Sequence, residues 1–282
     1  ITFSTKMATI TAKEINELRQ ATGAGMMDCK KALEQADGDR EAAIDILRKK
    51  GQKIADNRQD RDANEGSVFV QHSHSAATLI ELNCETDFVA RNEYFQGLGQ
   101  GIARVAFESH PADVAALLPL QLDGQSIADH LLEAMSKIAE KIQVRSIVRV
   151  EGDRVITYIH PGARVGVAVA FVGVGSEDIE AIGKDVAMQI AAMKPVAVDQ
   201  ADVPAEIVAK ELAFGRERAL AEGKPEAIVD KIAQGVLQKY FKENTLLAQE
   251  FVKDTSKTVA QYLKEANPNL KVKAFARVQL GA

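Results

Sequence analysis

Two stretches of the sequence carry the same succession of hydrophobic periodicities, and this repeat limits the folds that the chain can adopt. In each stretch two alternating segments come first, apolar residues at helical spacing follow, and a third alternating segment closes the stretch. The first stretch covers residues 67–151, and the second covers residues 152–202 and 244–282. Because alternating segments predict strands, the repeat predicts an α+β fold with two similar subdomains, each an antiparallel sheet packed with helices.

Residues 203–243 interrupt the second stretch with two helical patterns. Pro204 is typical of a helix start, and Gly223 to Pro225 predict a turn between the two helices. The apolar stripe is thin in the first helix and fuller in the second, with Val208, Leu212 and Ala219 followed by Ile228, Ile232, Val236 and Tyr240. We therefore expect an inserted antiparallel helical hairpin, a coiled coil that projects as an arm. Any homodimer should depend on it.

Three short helices are predicted near the N-terminus, within residues 8–51. A capping box at Thr11 begins the first helix, the second runs from about Asp28 to Ala36, and Gly51 ends the third. These helices predict a small three-helix bundle, similar to a UBA domain, with only a slight core. The charged residues 52–66 that follow predict a linker or a frayed extension of the third helix.

The composition is that of a soluble globular protein. Hydrophobic residues make up 46% and charged residues 27% of the chain, and the formal net charge is −5. This charge argues against a general nucleic-acid binder, because such proteins carry a basic surface. The longest apolar run, residues 165–174, is too short to span a bilayer, so we expect no membrane partner. Cys29 and Cys84 lie far apart without metal-type spacing, which suits a reducing, cytoplasmic compartment.

The sequence motifs of an enzyme are missing. The chain contains no nucleophile elbow, Walker A loop or histidine-rich metal motif. His72 and His74 fall in a predicted turn without further ligand residues nearby, which favours a surface turn over a metal site. Gly97, Gly99 and Gly101 lie within a helical pattern, where each should weaken the helix by roughly 1 kcal/mol relative to alanine. We therefore expect a protein that binds other proteins and has no cofactor.

A change of period near residue 86 marks the most informative segment. Residues 78–84 alternate and predict a strand, whereas Phe95 begins an apolar stripe at helical spacing. Thr86 lies at the switch, where its hydroxyl can cap a helix, and Asp87 places a carboxylate at the positive end of the helix dipole. Phe88 has two interpretations. It lies seven residues before Phe95, which favours the core, or it lies at the tip of the corner and reaches a partner.

Two segments resemble the signatures of a known family. Residues 81–91 resemble the second signature of elongation factor Ts, the guanine-nucleotide exchange factor of translation elongation factor Tu, and residues 18–33 resemble the other signature. The similarity covers residues 8–280. It implies a protein that binds elongation factor Tu in its GDP-bound and nucleotide-free forms, displaces Mg²⁺ and promotes GDP release so that GTP can bind. No covalent chemistry of its own is implied.

The resemblance also implies roles for individual residues. The segment that intrudes beside the partner's Mg²⁺ site matches Thr86, Asp87, Phe88 and Val89. The helical bundle grips the partner's nucleotide domain, and this contact takes in Arg19, Met26, Met27 and Lys30. Two further positions face the partner's third domain, namely His160 and Val252. Of the two methionines, we expect one to pack beneath the glycine turn that precedes them and the other to face the partner.

Two other classes of function stay open on the residues alone. A non-catalytic adaptor would use only the helical bundle to bind another protein, and the segment from Thr86 to Val89 would be idle. An enzyme acting between the two similar subdomains would show turnover without any GTPase present. Release of labelled GDP from elongation factor Tu separates both from an exchange factor.

The ends of the sequence carry two further expectations. Residues 1–6 contain one lysine and no apolar run, so we do not expect them to form a signal peptide. We interpret Met7 as the natural start of the protein. Members of the family often continue past the last strand into a short helix. Because this sequence stops at Ala282, we expect the contact of that helix to be absent or shortened.

Overall fold

A computed structural model describes residues 10–58, 60–176 and 178–281, so the expectation for Met7 lies outside the described residues. Helices combine with antiparallel strand pairs in these ranges, which confirms the predicted α+β class. None of the helices in these ranges combines the length and the apolar character needed to traverse a lipid bilayer. The described residues form two compact units, one from those up to position 69, those of 80–147 and those from 279 onward, and the other from those of 70–79 and 148–278.

The described ranges contain eleven α-helices and ten β-strands. The helices are α1 (Ala12–Thr22), α2 (Met26–Gln35), α3 (Arg40–Asp56), α4 (Asp87–Ala90), α5 (Glu93–Ser109), α6 (Val114–Leu117), α7 (Ile127–Ile138), α8 (Glu180–Met193), α9 (Ala205–Ala221), α10 (Glu226–Asn244) and α11 (Val259–Ala266). The strands are β1 (Glu65–His72), β2 (Ala76–Cys84), β3 (Gln121–Leu122), β4 (Gln125–Ser126), β5 (Gln143–Glu151), β6 (Arg154–Ile159), β7 (Val165–Val172), β8 (Glu250–Phe251), β9 (Asp254–Thr258) and β10 (Lys271–Gln279).

The three N-terminal helices share a small buried core, formed by Leu18, Ala24, Cys29, Ala32, Leu33, Ala43 and Leu47. Thr11 begins α1 as predicted, because its hydroxyl accepts a hydrogen bond from the N–H of Glu14 and the Glu14 carboxylate accepts one from the N–H of Thr11. The predicted end of α3 at Gly51 is wrong, since the helix continues to Asp56. A side-chain carbon at Gly51 would lie 3.5 Å from the carbonyl oxygen of Leu132 in α7. Gly51 is therefore a buried position within α3, where an added methyl group would make only ordinary contact with α7, and it does not stop the helix.

The first sheet has the strand order β1-β2-β5, and its core includes α5 and α7. The predicted apolar stripe of α5 is buried, with Phe95, Leu98, Ile102 and Val105 all in the core. The three glycines of α5 differ in their surroundings. A side-chain carbon at Gly97 would meet open space, but one at Gly99 would overlap the ring of Phe69. The expectation that alanine would strengthen the helix at each glycine is therefore wrong at Gly99, where the ring needs the space.

The second sheet has the strand order β6-β7-β10, the same order of first, second and closing strand as in the first sheet. Strands β6 and β7 pair antiparallel, in a register that runs from Arg154 opposite Phe171 to Ile159 opposite Gly166. The small-residue face of β7 is buried, including Gly166, Ala168 and Ala170. This face of β7 is therefore packed against other residues and is not an exposed sheet surface.

The inserted segment forms two antiparallel helices, α9 and α10, as predicted. The predicted stripe of α10 is displaced by one residue, because Ile228 is exposed and the buried positions are Val229, Ala233 and Leu237. A side-chain carbon at Gly215 of α9 would lie 2.8 Å from the Cα of Ala233. The helices therefore approach most closely where both carry small residues, and these small residues are absent from a pattern that counts only large apolar ones.

Replacing residues 203–243 by a short Gly/Ser linker should leave the rest of the chain able to unfold cooperatively. The segments at the two ends of the hairpin already lie together, because the N–H of Val196 donates to the carbonyl of Asn244 at 2.9 Å and that of Leu246 donates to Ala197 at 2.9 Å. Closing a short loop across this gap costs little entropy. Urea unfolding of the deletion variant tests this. A broad transition without cooperativity would show that the hairpin belongs to a core; until then the domain boundaries stay predictions.

Candidate functional site

The corner between β2 and α5 contains the single-turn helix α4. Thr86 caps α4, since its hydroxyl accepts a hydrogen bond from the N–H of Val89 at 3.4 Å. The helix ends at Ala90, and Asn92 begins α5 by accepting a hydrogen bond from the N–H of Tyr94 at 2.9 Å. The chain therefore changes direction between the capped turn and the long helix, and the two do not share one continuous face.

Phe88 lies at the tip of this corner with 83% of its surface exposed. The interpretation that placed it in the core beside Phe95 is wrong, because the break between α4 and α5 removes it from the buried face. Val89 packs against the core, and Asp87 forms an ion pair with Arg91 at 2.9 Å on the surface. The ring of Phe88 therefore projects into solvent from the tip of the corner.

The carboxylate of Glu140 holds the start of the corner from a segment more than 50 residues away. Its Oε2 accepts hydrogen bonds from the N–H groups of Glu85 at 3.1 Å and Thr86 at 3.0 Å. Its Oε1 accepts a third hydrogen bond, from the hydroxyl of Thr86, at 2.7 Å. Because an ionised acceptor makes stronger hydrogen bonds than a neutral one, this carboxylate fixes the backbone from which Phe88 projects.

A second carboxylate, that of Glu85, makes the reverse connection. Its Oε1 accepts hydrogen bonds from the N–H of Lys141 and from Arg58, each at 2.6 Å, and Arg61 lies 3.5 Å from Oε2. Glu85 and Glu140 thus each bind the backbone of the other's segment, and we call this pair of carboxylates the clasp. The clasp connects the corner to the loop between α7 and β5, which contains Glu140 and Lys141, and to Arg58 and Arg61, which follow α3.

The electrostatics of Glu85 favour its charged form. Burial raises the pKa of the Glu85 carboxyl, but the hydrogen bonds from Lys141 and Arg58 and the charges of Arg58 and Arg61 outweigh burial and lower the pKa below its ordinary value. Because the pKa is lowered in the folded chain, this carboxylate stabilises the fold at neutral pH. The contribution is lost only as the pH falls through that lowered value.

Cys84 supports the corner from the core. Its Sγ lies 3.1 Å from the carbonyl oxygen of Thr86 and donates to it. Burial, together with the charge of Glu140, raises the pKa of Cys84 to about 12, so the group stays a thiol at neutral pH. It therefore acts as a hydrogen-bond donor and a packing residue in the corner.

The second predicted contact region is the turn between α1 and α2. Gly23 adopts the left-handed conformation with a φ of +63° and ends α1, and Gly25 precedes α2. Met26 and Met27 are 55% and 61% exposed, so the expectation that one of them packs beneath the turn is wrong. The turn is supported instead by the buried Ala24, which leaves both methionines on the surface. The two polar positions of this region are also exposed, namely Arg19 and Lys30.

The remaining two predicted residues lie in the second compact unit. His160 follows β6 and is exposed, and its Nδ1 lies 2.9 Å from the hydroxyl of Tyr158. Val252, in the turn between β8 and β9, is 42% exposed. Its N–H donates to Oε1 of the buried Gln189 at 2.8 Å, which fixes the turn on α8. Both side chains are thus free to contact a partner.

Across residues 10–58, 60–176 and 178–281, His, Cys, Asp and Glu nowhere form a group of three that could hold a metal ion. The corner and the turn are recognisable in the sequence, but the contacts of Glu85 and Glu140 are not. No local signal could have found them, since the backbone N–H groups that they bind lie 54 to 56 positions away.

Comparison with known proteins gives one consistent result. The family model for elongation factor Ts matches residues 85–282. The elongation factor Ts of Amoebophilus asiaticus is 49% identical over 97% of this chain and 99% of its own length. Those of Cytophaga hutchinsonii and Porphyromonas gingivalis are 47% and 46% identical, again over 97% of this chain. On this similarity, which extends over nearly the whole chain, the protein belongs to the elongation factor Ts family of translation elongation factors.

Proposed function

We propose that this protein is a guanine-nucleotide exchange factor that binds elongation factor Tu in its GDP-bound form and promotes GDP release. The observation that carries the proposal is the exposed ring of Phe88 at the tip of a corner that two carboxylates hold in place. A fixed apolar projection can enter a partner without losing much conformational entropy on binding. Thr86, Asp87 and Val89 belong to the same corner, and Thr86 and Val89 fix the base of the ring.

The proposed mechanism follows from the interactions that hold a nucleoside diphosphate in a GTPase. Backbone N–H groups, a lysine and a hydrated Mg²⁺ neutralise the phosphates, and the metal ion supplies a large share of that charge. We propose that Phe88 and Asp87 enter beside the Mg²⁺ site and displace the ion. Because coupling between two ligands is reciprocal, a factor that weakens GDP binding is itself bound more weakly while GDP remains. The ternary complex of elongation factor Tu, GDP and this protein is then transient, and binding of GTP to elongation factor Tu completes the cycle.

The helical bundle provides the grip in this proposal. Met26 and Met27 present flexible, polarizable side chains that adapt to an apolar partner surface. Arg19 and Lys30 flank them and add positive charge. In the second compact unit, His160 and Val252 contact the third domain of elongation factor Tu. Each of these contacts adds affinity, whereas the corner acts on the nucleotide.

Replacing Met26 and Met27 together by alanine should speed dissociation of the nucleotide-free complex by about tenfold, since truncating exposed anchors of an interface acts mainly on the dissociation rate. The rate of GDP release at saturating factor should change much less, because the corner is intact. Stopped-flow dissociation and saturation kinetics measure the two effects. An unchanged dissociation rate would remove both methionines from the interface.

The direct test of the proposed function is release of a fluorescent GDP from purified elongation factor Tu. With excess unlabelled nucleotide present, the full-length chain should accelerate the release in proportion to its concentration until it saturates. Elongation factor Tu alone and the chain alone are the controls. If the chain binds elongation factor Tu but leaves the release rate unchanged, it is an adaptor and the exchange proposal is wrong.

A further inference from the structure

Tyr94 is a second exposed aromatic residue close to the corner. It is the second residue of α5, and the side chain of Asn92 accepts the hydrogen bond of its N–H at 2.9 Å, which fixes its backbone at the start of the helix. Its ring is 36% exposed, in contrast to the neighbouring Phe95, which is fully buried. Neither the family signatures nor the roles proposed above include Tyr94.

Lys137 of α7 holds the ring of Tyr94 in place. The ammonium nitrogen lies 4.5 Å from the ring centroid, in a cation–π contact, and it also forms an ion pair with Glu133 one turn earlier in α7. The side chain of Lys137 is only 25% exposed, so this contact is partly shielded from water. The ring is therefore ordered before any partner arrives.

The same lysine also contacts the turn between α1 and α2. The end of its side chain occupies the place where a Cβ would lie on Gly23, so a side chain at Gly23 would overlap it. An open groove beside this contact is lined by Arg19, Met26 and Lys137. Lys137 thus touches Tyr94 on one side and the methionine turn on the other.

These contacts connect the two regions assigned above. Among the described residues of positions 10–147, the large apolar side chains with substantial exposure are Met26, Met27, Phe88 and Tyr94. Two of these belong to the methionine turn and one to the corner, while Tyr94 follows the corner in sequence and reaches the turn through Lys137. The contacts of Lys137 therefore join Tyr94 to the methionine turn, and the short segment from Phe88 to Tyr94 joins it to the corner.

We infer that Tyr94 is a third anchor for the nucleotide-binding domain of elongation factor Tu, on a surface that continues from Met26 through Lys137 and Tyr94 to the corner. The inference rests on the proposed function and names a further contact within it. Tyrosine suits this place, because a large ring with few rotatable bonds buries much area at low entropic cost. The partner patch that covers it should be apolar, since Glu133 already neutralises Lys137.

Three variants test the inference: Tyr94→Ala, Tyr94→Phe and the control Phe214→Ala, which removes a 54% exposed ring from the helical hairpin. Tyr94→Ala should weaken binding of nucleotide-free elongation factor Tu about tenfold, while Tyr94→Phe and Phe214→Ala should stay within about twofold of the unchanged protein. The GDP-release rate at saturating factor should be nearly unchanged in all three. A purely structural role would instead lower both quantities together with the unfolding midpoint.

The reactivity of the Tyr94 side chain in the unchanged protein provides a second test that needs no substitution. Hydroxyl-radical footprinting should show Tyr94 protected in the complex with nucleotide-free elongation factor Tu and reactive in the free chain. Equal reactivity in both states, or unchanged affinity in Tyr94→Ala, would overturn the inference. So would a concentration-dependent protection of Tyr94 without elongation factor Tu, because that result would make the surface a contact between two copies of this chain.

Failure of the inference is distinguishable from failure of the proposed function. If the unchanged chain neither binds elongation factor Tu nor accelerates GDP release, the proposed function is wrong and the inference falls with it. If the unchanged chain does both, and Met26→Ala with Met27→Ala weakens binding while Tyr94→Ala does not, only the inference is wrong.

Discussion

Replacing Phe88 by alanine should slow factor-stimulated GDP release by about a hundredfold, which corresponds to the loss of roughly 2–3 kcal/mol that follows truncation of an interface anchor. The free energy of unfolding should stay within about 0.5 kcal/mol of its original value, because 83% of the ring is exposed and contributes little to the core. Stopped-flow release of a fluorescent GDP and urea unfolding measure the two quantities on the same preparation.

Two phenylalanines elsewhere in the chain provide matched controls. Phe95→Ala empties a fully buried position and should cost about 3–5 kcal/mol of stability. Phe214→Ala removes an exposed ring far along the sequence and should change neither stability nor exchange. Asp87→Ala should act at the same step as Phe88→Ala but more weakly, and the two should be non-additive because they act at one site. If Phe88→Ala destabilises the protein as Phe95→Ala does, the ring is part of the core.

Removing the carboxylate of Glu140 should have the next largest effect. Glu140→Ala leaves three donors without their acceptor, the N–H groups of Glu85 and Thr86 and the hydroxyl of Thr86. Hydrogen bonds to a charged group contribute about 1.5–3 kcal/mol each when their partners are shielded, and water replaces part of this at a half-buried site. We expect the free energy of unfolding to fall by about 2 kcal/mol and the rate of factor-stimulated GDP release to fall about tenfold, although Phe88 itself is unchanged.

Glu140→Gln is the matched variant, since it keeps the length of the side chain and one acceptor oxygen but loses the charge. Its effects should lie between those of the original residue and alanine. Amide hydrogen exchange at Glu85 and Thr86 should accelerate in both variants, more so in alanine, while the affinity that the methionine turn provides should be largely kept. A loss of exchange activity without any change in amide protection would show that Glu140 contacts the partner directly.

Periodicity predicted the elements that bury their apolar residues in one regular face. The stripe of α5 that begins at Phe95 follows from local sequence, as does the capping box at Thr11, and the structure confirms both. Small residues are predicted less well. Gly51 predicts a helix end although α3 continues through it, and the predicted stripe of α10 is displaced by one residue, because the close contact of Gly215 with Ala233 carries no apolar signal.

The candidate site was predictable in part. Local pattern placed Thr86 as a cap and Phe88 near a corner, but it could not decide whether the ring was buried, since that depends on where Asn92 begins the next helix. The clasp could not be predicted from the sequence. Glu140 meets Thr86 only because tertiary packing brings together segments 54 residues apart, and no periodicity in one sequence records such a pair.

We propose that the corner acts by displacing Mg²⁺ from elongation factor Tu. The most direct measurement is the factor by which the full-length chain accelerates GDP release from elongation factor Tu, determined once with millimolar Mg²⁺ and once with the ion chelated. If the corner displaces the ion, the acceleration should be large with Mg²⁺ present and at least about tenfold smaller without it, a difference of about 1.4 kcal/mol in the barrier. Phe88→Ala should show little dependence on Mg²⁺. Equal acceleration by the unchanged chain in both conditions would show that the corner does not act by displacing Mg²⁺.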